Sequence, residues 1–219
     1  YYKMEYDKTG KQLFSSTVIP NRGAWLEYEN DVNDVLYVRI DKNRKIPITA
    51  FIRALGRGTD EEIKAYFGED ERILATIDKD TTHTMEEGLF EVYRKLRPSE
   101  PPTIESAQSH LNGLFFDPKR YDLYPVGRYK YDKKMALQPR IRNHRAAEDI
   151  ISPLTGEILC EKGSVITPEL ADTIAHNAVN EVFLELDNGS VVKVFSNNTI
   201  EPEYILGFDL KDCGVSEKA

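Results

Sequence analysis

The chain has 219 residues, of which 40% are hydrophobic and 30% are charged, and its formal net charge is −8. This length can bury one large core or two smaller ones. No apolar run approaches the roughly 20 residues that span a bilayer, and no secretory signal stands at the start, so we expect neither a membrane-spanning nor a secreted protein. Two distant cysteines, Cys160 and Cys213, predict a reducing, cytoplasmic location. A start at Tyr1 rather than Met favours an excised fragment.

The net charge is unevenly distributed along the chain. Residues 146–219 have a net charge of −10, whereas residues 1–145 have a net charge of +2. Within the first part, residues 115–145 hold nine basic residues and three aspartates. Because a whole-chain average hides such patches, the acidic balance does not exclude nucleic-acid binding.

The first fifty residues read as strands followed by a helix. Residues 13–19, 25–29 and 35–40 are rich in β-formers, and we expect an antiparallel meander. Pro47 favours a helix start, and apolar residues follow it at helical spacing until Gly56. Thr59 and Glu62 form the pattern of a capping box for a second helix that ends at Phe67.

The middle of the chain predicts two longer helices. One covers residues 84–97 and is ended by the prolines at 98, 101 and 102. Thr103 caps the next, which runs to about Phe116. Residues 126–135 fit either a strand or a helix, and their periodicity does not decide between them.

After about Leu137 the pattern changes to short elements. Residues 149–151 and 158–160 predict two strands around a turn, and Thr167 caps a helix to about Asn177. Residues 181–186 and 190–195 predict a hairpin, since Asp187, Asn188 and Gly189 form a strong turn signal. The sequence therefore predicts a second, small and acidic αβ module, and an α+β fold for the whole chain.

No enzyme constellation is visible. The four histidines have no metal-ligand spacing, and no glycine-rich loop follows a strand. A nucleic-acid reading has more support: Arg22 and Trp25, the chain's only tryptophan, precede a cluster of Arg39, Lys42, Arg44 and Lys45 around Asp41. An aromatic ring beside cations suits single strands. From the residues alone, Trp25 also fits a core position and residues 42–45 an ordinary charged turn.

A second basic segment has aromatic residues between its cations. It combines Arg120, Arg128, Lys130, Lys133 and Lys134 with Tyr121, Tyr124, Tyr129 and Tyr131. This pattern is typical of surfaces that follow a nucleic-acid backbone, although tyrosines at such spacing also build cores.

Several stretches are long and specific: IPNRGAWLEY at 19–28, LYVRIDKNRKIP at 36–47, RALG at 53–56, YRKLRPSEPPT at 93–103, and FFDPKRYDL at 115–123 with VGR at 126–128. Together they resemble one family, the β subunit of bacterial DNA-directed RNA polymerase. The resemblance covers essentially the whole chain. It implies a mixed helical and antiparallel-sheet lobe (the β2 domain) over residues 1–137, an external-1 module over 138–199 and a return segment over 200–219. The module matches more loosely, mainly through TGEIL at 155–159 and EKG at 161–163.

The resemblance implies a wall of the main DNA channel, next to the downstream duplex and the non-template strand. Trp25 occupies the position that stacks on an unpaired non-template base, and Asp41 occupies a base-edge position. Arg97 and Arg120 match arginines that face the same strand. Arg22, Lys42 and Arg44 join the expected nucleic-acid contacts. Asn43 stands where the family has a basic residue, so a phosphate contact is in doubt there.

The resemblance also implies what the chain does not supply. The catalytic Mg²⁺ is expected on another large subunit, so we expect no catalytic residues and no cofactor in these 219 residues. Expected partners are DNA, the α, β′ and ω subunits, sigma factor and transcription factors, at the nucleoid and not at a membrane. The alternative is a protein-interaction module, in which the acidic C-terminal region docks a basic factor.

Overall fold

The computed structural model describes residues 2–20, 22–117, 119, 125–197, 206–208 and 210–214. The chain divides into two compact units, Tyr1–Asp122 and Leu123–Ala219. Each unit has its own hydrophobic core. Helices and antiparallel sheets contribute to both, which confirms the α+β prediction. The predicted boundaries at 137 and 199 stay predictions, and most of the predicted return segment lies outside the described residues.

The first unit begins with a five-stranded antiparallel meander of strands in sequential order. These strands are β1 (Tyr2–Tyr6), β2 (Gln12–Val18), β3 (Leu26–Asn30), β4 (Leu36–Ile40) and β5 (Ile46–Pro47). The meander confirms the prediction for the middle three strands. Strand β1 was not predicted, because its alternation of aromatic and charged residues is short and its side chains are all exposed.

Five helices follow the sheet in the first unit. They are α1 (Ile48–Ala54), α2 (Asp60–Phe67), α3 (Glu71–Lys79), α4 (Met85–Leu96) and α5 (Ile104–Phe115). The predicted capping box is present, since Thr59 accepts from the N–H of Glu62 and the Glu62 carboxylate accepts from the N–H of Thr59. Thr103 likewise caps α5. Helix α3, capped by Asp70, was missed, although its apolar residues follow a helical period.

Helices α1 and α4 cross closely at Gly88. A Cβ on Gly88 would lie 2.6 Å from the carbonyl oxygen of Ala50 and 2.8 Å from Cβ of Arg53. Only glycine therefore permits this approach of the two helices. The helices close the main core, in which Val38 and Ile46 of the sheet pack with Phe51, Leu89 and Val92.

A buried polar network ties the helical layer together. Arg53 is 0% exposed, and its Nη1 donates to the carbonyl oxygen of Gly58 at 2.6 Å. The guanidinium also pairs with the carboxylates of Asp60 and Asp80. Asp80 in turn accepts from the hydroxyl of Thr49 at 2.5 Å. Because its buried charges are matched in this way, the network acts as a structural element.

The second unit contains short elements around its own core. These are α6 (Pro125–Met135), α7 (Gln138–Ile141), β6 (Arg145–Ala146), β7 (Ile150–Ile151), β8 (Ile158–Cys160), α8 (Pro168–His176), β9 (Glu181–Glu185), β10 (Val191–Phe195) and a 3₁₀ turn (Leu210–Cys213). The predicted hairpin is confirmed as the antiparallel pair β9–β10. The predicted strands around the 153–156 turn pair as β7 and β8. Residues 125–135, undecided from sequence, form a helix.

Two further features concern the whole described chain. Across the residues that the structure describes, no helix is both long and apolar enough to cross a membrane. Both cysteines are free; Cys160 is buried, whereas Cys213 is exposed.

Candidate nucleic-acid interface

The loop before β3 presents Trp25 to solvent. Gly23 has φ +122°, a conformation that L side chains rarely adopt, and this allows the chain to turn there. Ala24 is buried in the main core and fixes the loop. Trp25 follows with 46% of its surface exposed. The core alternative for Trp25 is therefore wrong, and its ring is accessible to a planar partner.

The turn after β4 is backbone-strained. Asp41 and Lys42 both have positive φ, +50° and +65°. The N–H of Asn43 donates to the carbonyl oxygen of Ile40 at 3.2 Å, and its side-chain amide donates to the same oxygen at 2.9 Å. Two positive φ values in succession define a type I′ turn. Non-glycine residues in this region cost of order 1–3 kcal/mol each and often lie at functional sites.

The sheet register joins these two segments. Leu26 of β3 is directly opposite Ile40 of β4. One residue further out, the N–H of Asp41 donates to the carbonyl oxygen of Trp25 at 3.0 Å. Two residues separated by sixteen positions therefore meet at one end of the sheet. We call the surface of Arg22, Trp25, Asp41, Lys42 and Arg44 the Trp25 surface.

The four cations near this turn differ in their partners. Arg39 lies 3.8 Å from Glu27, its cross-strand neighbour, and Lys45 lies 2.9 Å from Glu29. Lys42 and Arg44 are exposed and make no ion pair within the described part of the chain. The acidic partners were missed in the sequence, because Glu27 and Glu29 lie 12 and 16 positions before their cations and only the folded sheet brings them together.

A shallow depression of about 480 Å³ is bordered by these cations and by Asn43. Its lining residues are Arg39, Lys42, Asn43, Arg44 and Lys45. The side-chain amide of Asn43 donates to the carbonyl oxygen of Ile40 within its own turn. It therefore does not offer a phosphate the contact that a basic residue would make at this position. Of the described cations that border the depression, Lys42 and Arg44 make no ion pair with a described residue and can neutralise a phosphate.

Arg22 is exposed beside an apolar cavity of about 320 Å³. The same cavity is lined by Gly23 and Ala24 from the Trp25 loop and by Leu114 and Phe115 from α5. Among the lining residues that the structure describes, Arg22 is the one cation.

Arg97 is exposed, but its guanidinium is engaged. It lies at the C-terminal end of α4 and its Nη1 is 2.9 Å from the Glu100 carboxylate. The hydroxyl of Tyr93 donates to the same carboxylate at 2.7 Å. These two hydrogen bonds, that of Tyr93 first, hold the pKa of Glu100 below its ordinary value. Arg97 would have to share or leave Glu100 to bind a phosphate.

Arg97 and the Trp25 loop lie at opposite ends of α5. Gly23 approaches Leu114 near the C-terminal end of this helix, while Arg97 precedes the N-terminal end by a short connection. The helix has 12 residues, which corresponds to about 18 Å. Among the described residues, no hydrogen bond or ion pair joins Arg97 to Trp25. Arg120 lies outside the described residues, as do Tyr121 and Tyr124.

In the second unit, α6 carries the described part of the aromatic and basic segment. Tyr129 is 65% exposed, and Nζ of Lys133 lies 6.0 Å from the centre of its ring. Lys130 and Lys134 are exposed as well. The core alternative for Tyr129 is therefore wrong. The side chain of Arg128 is not described.

Metal-ligating residues do not cluster in the described ranges. No group of three or more His, Cys, Asp or Glu side chains there could hold a metal ion. The absence of a cofactor in this chain stays a prediction.

Comparison with known proteins gives concordant matches. The family model "RNA polymerase Rpb2, domain 2" matches residues 1–167. The DNA-directed RNA polymerase subunit beta of Acetivibrio thermocellus is 58% identical over 218 residues, which is 100% of this chain and 17% of the relative. The corresponding subunits of Clostridioides difficile and Alkaliphilus metalliredigens are 57% and 55% identical over the same length and share of this chain, and 18% of each relative is covered.

The chain thus spans less than a fifth of the length of these relatives. The family model covers most of the chain and the identities extend across all of it. This chain belongs to the RNA polymerase Rpb2 domain 2 family, as part of a bacterial RNA polymerase β subunit.

Proposed function

We propose that this chain forms a wall of the main DNA channel of a DNA-directed RNA polymerase. In this proposal it contacts the non-template strand and the downstream duplex while the assembled enzyme, a nucleotidyltransferase, transcribes. Family membership supports the setting, and the Trp25 surface supports the contact with nucleic acid.

The observation that carries the proposal is the exposed ring of Trp25 on a fixed backbone. The loop is anchored by buried Ala24 and by the hydrogen bond from Asp41 to the Trp25 carbonyl. Because the backbone that carries the ring is already ordered, little of the loop has to be ordered when a base stacks on it. Stacking of one base on an aromatic side chain contributes about 1–3 kcal/mol and depends little on base identity.

The charges around the ring fit the same ligand. Lys42 and Arg44 can neutralise phosphates on either side of the stacked base, and Arg22 adds a third cation. The carboxylate of Asp41 can accept from an exocyclic amino group at a base edge. Arg97 and Arg120 would follow the strand further along, with Arg97 released in part from Glu100.

The chemistry of nucleotide addition belongs elsewhere in this proposal. Mg²⁺ would be held by another large subunit, and the chain would work with the α, β′ and ω subunits and sigma factor. Its place would be the cytoplasm, at the nucleoid. No residue of this chain is assigned a catalytic role.

Replacing Trp25 by alanine in the full polymerase tests the contact. Loss of one stacking platform should shorten the lifetime of open promoter complexes by about 5- to 150-fold, the equivalent of 1–3 kcal/mol. Trp25→Phe is the matched control, since it retains an aromatic face and should restore most of the lifetime. Measured by competitor-challenged dissociation, equal lifetimes for all three enzymes would refute the stacking role.

A second candidate function rests on the charge of the C-terminal part. Residues 146–219 have a net charge of −10, and Glu161, Glu185 and Asp187 are exposed there. We propose that this acidic region docks a basic transcription factor, which is compatible with the channel role. Capture of factors by the polymerase should fall when these three residues are changed to lysine. Unchanged capture would count against the docking proposal.

A further inference from the structure

Part of the sheet face that forms the core is left exposed. Strand register places Tyr2 opposite Ser16, Ser16 opposite Tyr28, and Tyr28 opposite Val38, which is fully buried under the helices. The same face therefore continues from the buried strands onto β1 and β2. There it carries large apolar or aromatic side chains that are exposed: Tyr2 (84%), Met4 (47%), Tyr6 (62%), Phe14 (39%) and Val18 (50%).

The other face of β1 is polar. Lys3 and Glu5 alternate with the aromatic residues and form an ion pair with each other. A strand with one apolar and one charged face is typical of a strand whose apolar face is buried. Phe14 confirms the direction of that face, since the guanidinium of Arg72 in α3 lies 5.4 Å from the centre of its ring.

The exposed face leads into the apolar cavity of about 320 Å³. Val18, Leu26 and Tyr28 line it from the sheet, and Phe51 of α1 and Leu55, the residue after α1, line it from the other side. A cavity of about 150 Å³ holds a benzene molecule, so this one has room for an aromatic or large aliphatic side chain. The exposed face and the cavity form one continuous surface, which we call the β1–β2 face.

The composition of the β1–β2 face indicates its partner. A surface that binds nucleic acid needs cations for the phosphates, whereas Arg22 is the one cation among the described residues that line the cavity. Contiguous apolar side chains instead mark protein contacts. More than four-fifths of the length of each relative lies outside the matched segment, and such a tethered segment has a high effective concentration.

We propose that the β1–β2 face is covered by an apolar segment of the same β-subunit polypeptide, outside these 219 residues, with one apolar side chain seated in the cavity. The inference rests on the proposed function, because it needs the full-length subunit in its polymerase. The seated side chain would pack below Gly23 and Ala24 and so support the loop that presents Trp25.

Photo-crosslinking in the full, assembled polymerase tests the occupant. Tyr6 is replaced by p-benzoyl-phenylalanine, which keeps an aromatic ring on the β1–β2 face. Glu5, the next residue on the opposite face, receives the same group as the matched control. We expect a crosslink to a peptide of the same β subunit from outside these 219 residues, with a severalfold larger crosslinked fraction at position 6 than at position 5.

Every other crosslinking result overturns the proposal. A crosslink to another subunit, to sigma factor, to DNA or to a second β subunit would identify a different occupant. Equal, low yields at both positions would mean that the face is open to solvent. Transcription by both variants verifies assembly. Since position 6 is distinct from Trp25, failure of the stacking proposal would leave the crosslink unchanged.

A second measurement needs no substitution. Oxidation of Met4 by peroxide is followed by mass spectrometry in the native and in the denatured polymerase. If the face is covered, Met4 should be oxidised at least several times more slowly in the native enzyme. A native rate near the denatured rate would overturn the proposal, because Met4 would then be as accessible as its 47% exposure in this chain allows.

Discussion

Two regions of the first unit place an arginine near an aspartate, but the arginine is buried in one region and exposed in the other. Arg53 is fully buried, and its guanidinium is matched by Asp60, Asp80 and the carbonyl of Gly58. At the Trp25 surface, Arg44 is exposed without an ion pair among the described residues, and Asp41 sits on a strained turn. The same residue types therefore stabilise the fold in one place and remain available to a ligand in the other.

The difference arises from desolvation. A buried ion pair must satisfy its charges internally, and removing one partner leaves an uncompensated charge. An exposed charge keeps its water and costs the fold little. We therefore expect substitutions at Arg53 to affect folding and substitutions at the Trp25 surface to affect binding.

The largest effect is expected for Arg53→Met. The change leaves the carboxylate of Asp80, which is 2% exposed, without its cation, and it should lower the free energy of unfolding by about 3–5 kcal/mol. Urea denaturation of the 219-residue chain measures it. Arg44→Met is the matched control and should change stability by less than about 0.5 kcal/mol. Similar losses in the free energy of unfolding for Arg53→Met and Arg44→Met would show that the buried and the exposed arginine contribute equally to folding.

The strained turn gives the next largest effect. Lys42→Gly relieves a positive φ of +65° and should raise the free energy of unfolding by about 0.5–1 kcal/mol. The same change removes a phosphate-binding cation, so promoter complexes should become less stable. Arg44→Gly removes a charge at a residue without positive φ and should not stabilise the chain. A destabilised Lys42→Gly variant would mean that the turn is not strained.

A smaller effect concerns salt. Arg44→Gln in the full polymerase should reduce the slope of log affinity against log salt for single-stranded non-template DNA by about 0.7, the contribution of one phosphate contact. Lys45→Gln is the control, because Lys45 is already paired with Glu29 at 2.9 Å and should change the slope less. An equal change in slope for the two variants would show that the ion pair with Glu29 does not keep Lys45 from contacting a phosphate.

The smallest effect should appear at acid pH. Hydrogen bonds from Tyr93 and Arg97 hold the pKa of Glu100 below its ordinary value of 4.5. A carboxyl with a lowered folded pKa stabilises the fold above its unfolded pKa, and this contribution is lost as pH falls through the folded pKa. The difference in urea midpoint between wild type and Glu100→Gln should therefore shrink below pH 4.5. A constant difference would exclude this linkage.

Much of the local structure could be predicted from the sequence. The Thr59 and Thr103 caps and the 187–189 hairpin turn all depend on hydrogen bonds between residues a few positions apart. Helix α6 stayed undecided because its apolar residues follow neither period, and its exposed Tyr129 has no core to order it. Strand β1 was missed because its alternation covers only five residues, all of which are exposed.

The candidate interface shows the limit of such prediction. By itself, the sequence determined the α+β class, the caps and turns, and the family to which the motifs at 19–28 and 36–47 belong. The tertiary structure decided that Trp25 is exposed, that it meets Asp41, and that Arg39 and Lys45 are paired while Lys42 and Arg44 form no ion pair with any residue that the structure describes. These properties depend on which residues the folded sheet brings together, and the pairs Trp25–Asp41, Glu27–Arg39 and Glu29–Lys45 lie 12 to 16 positions apart, beyond the reach of a local pattern.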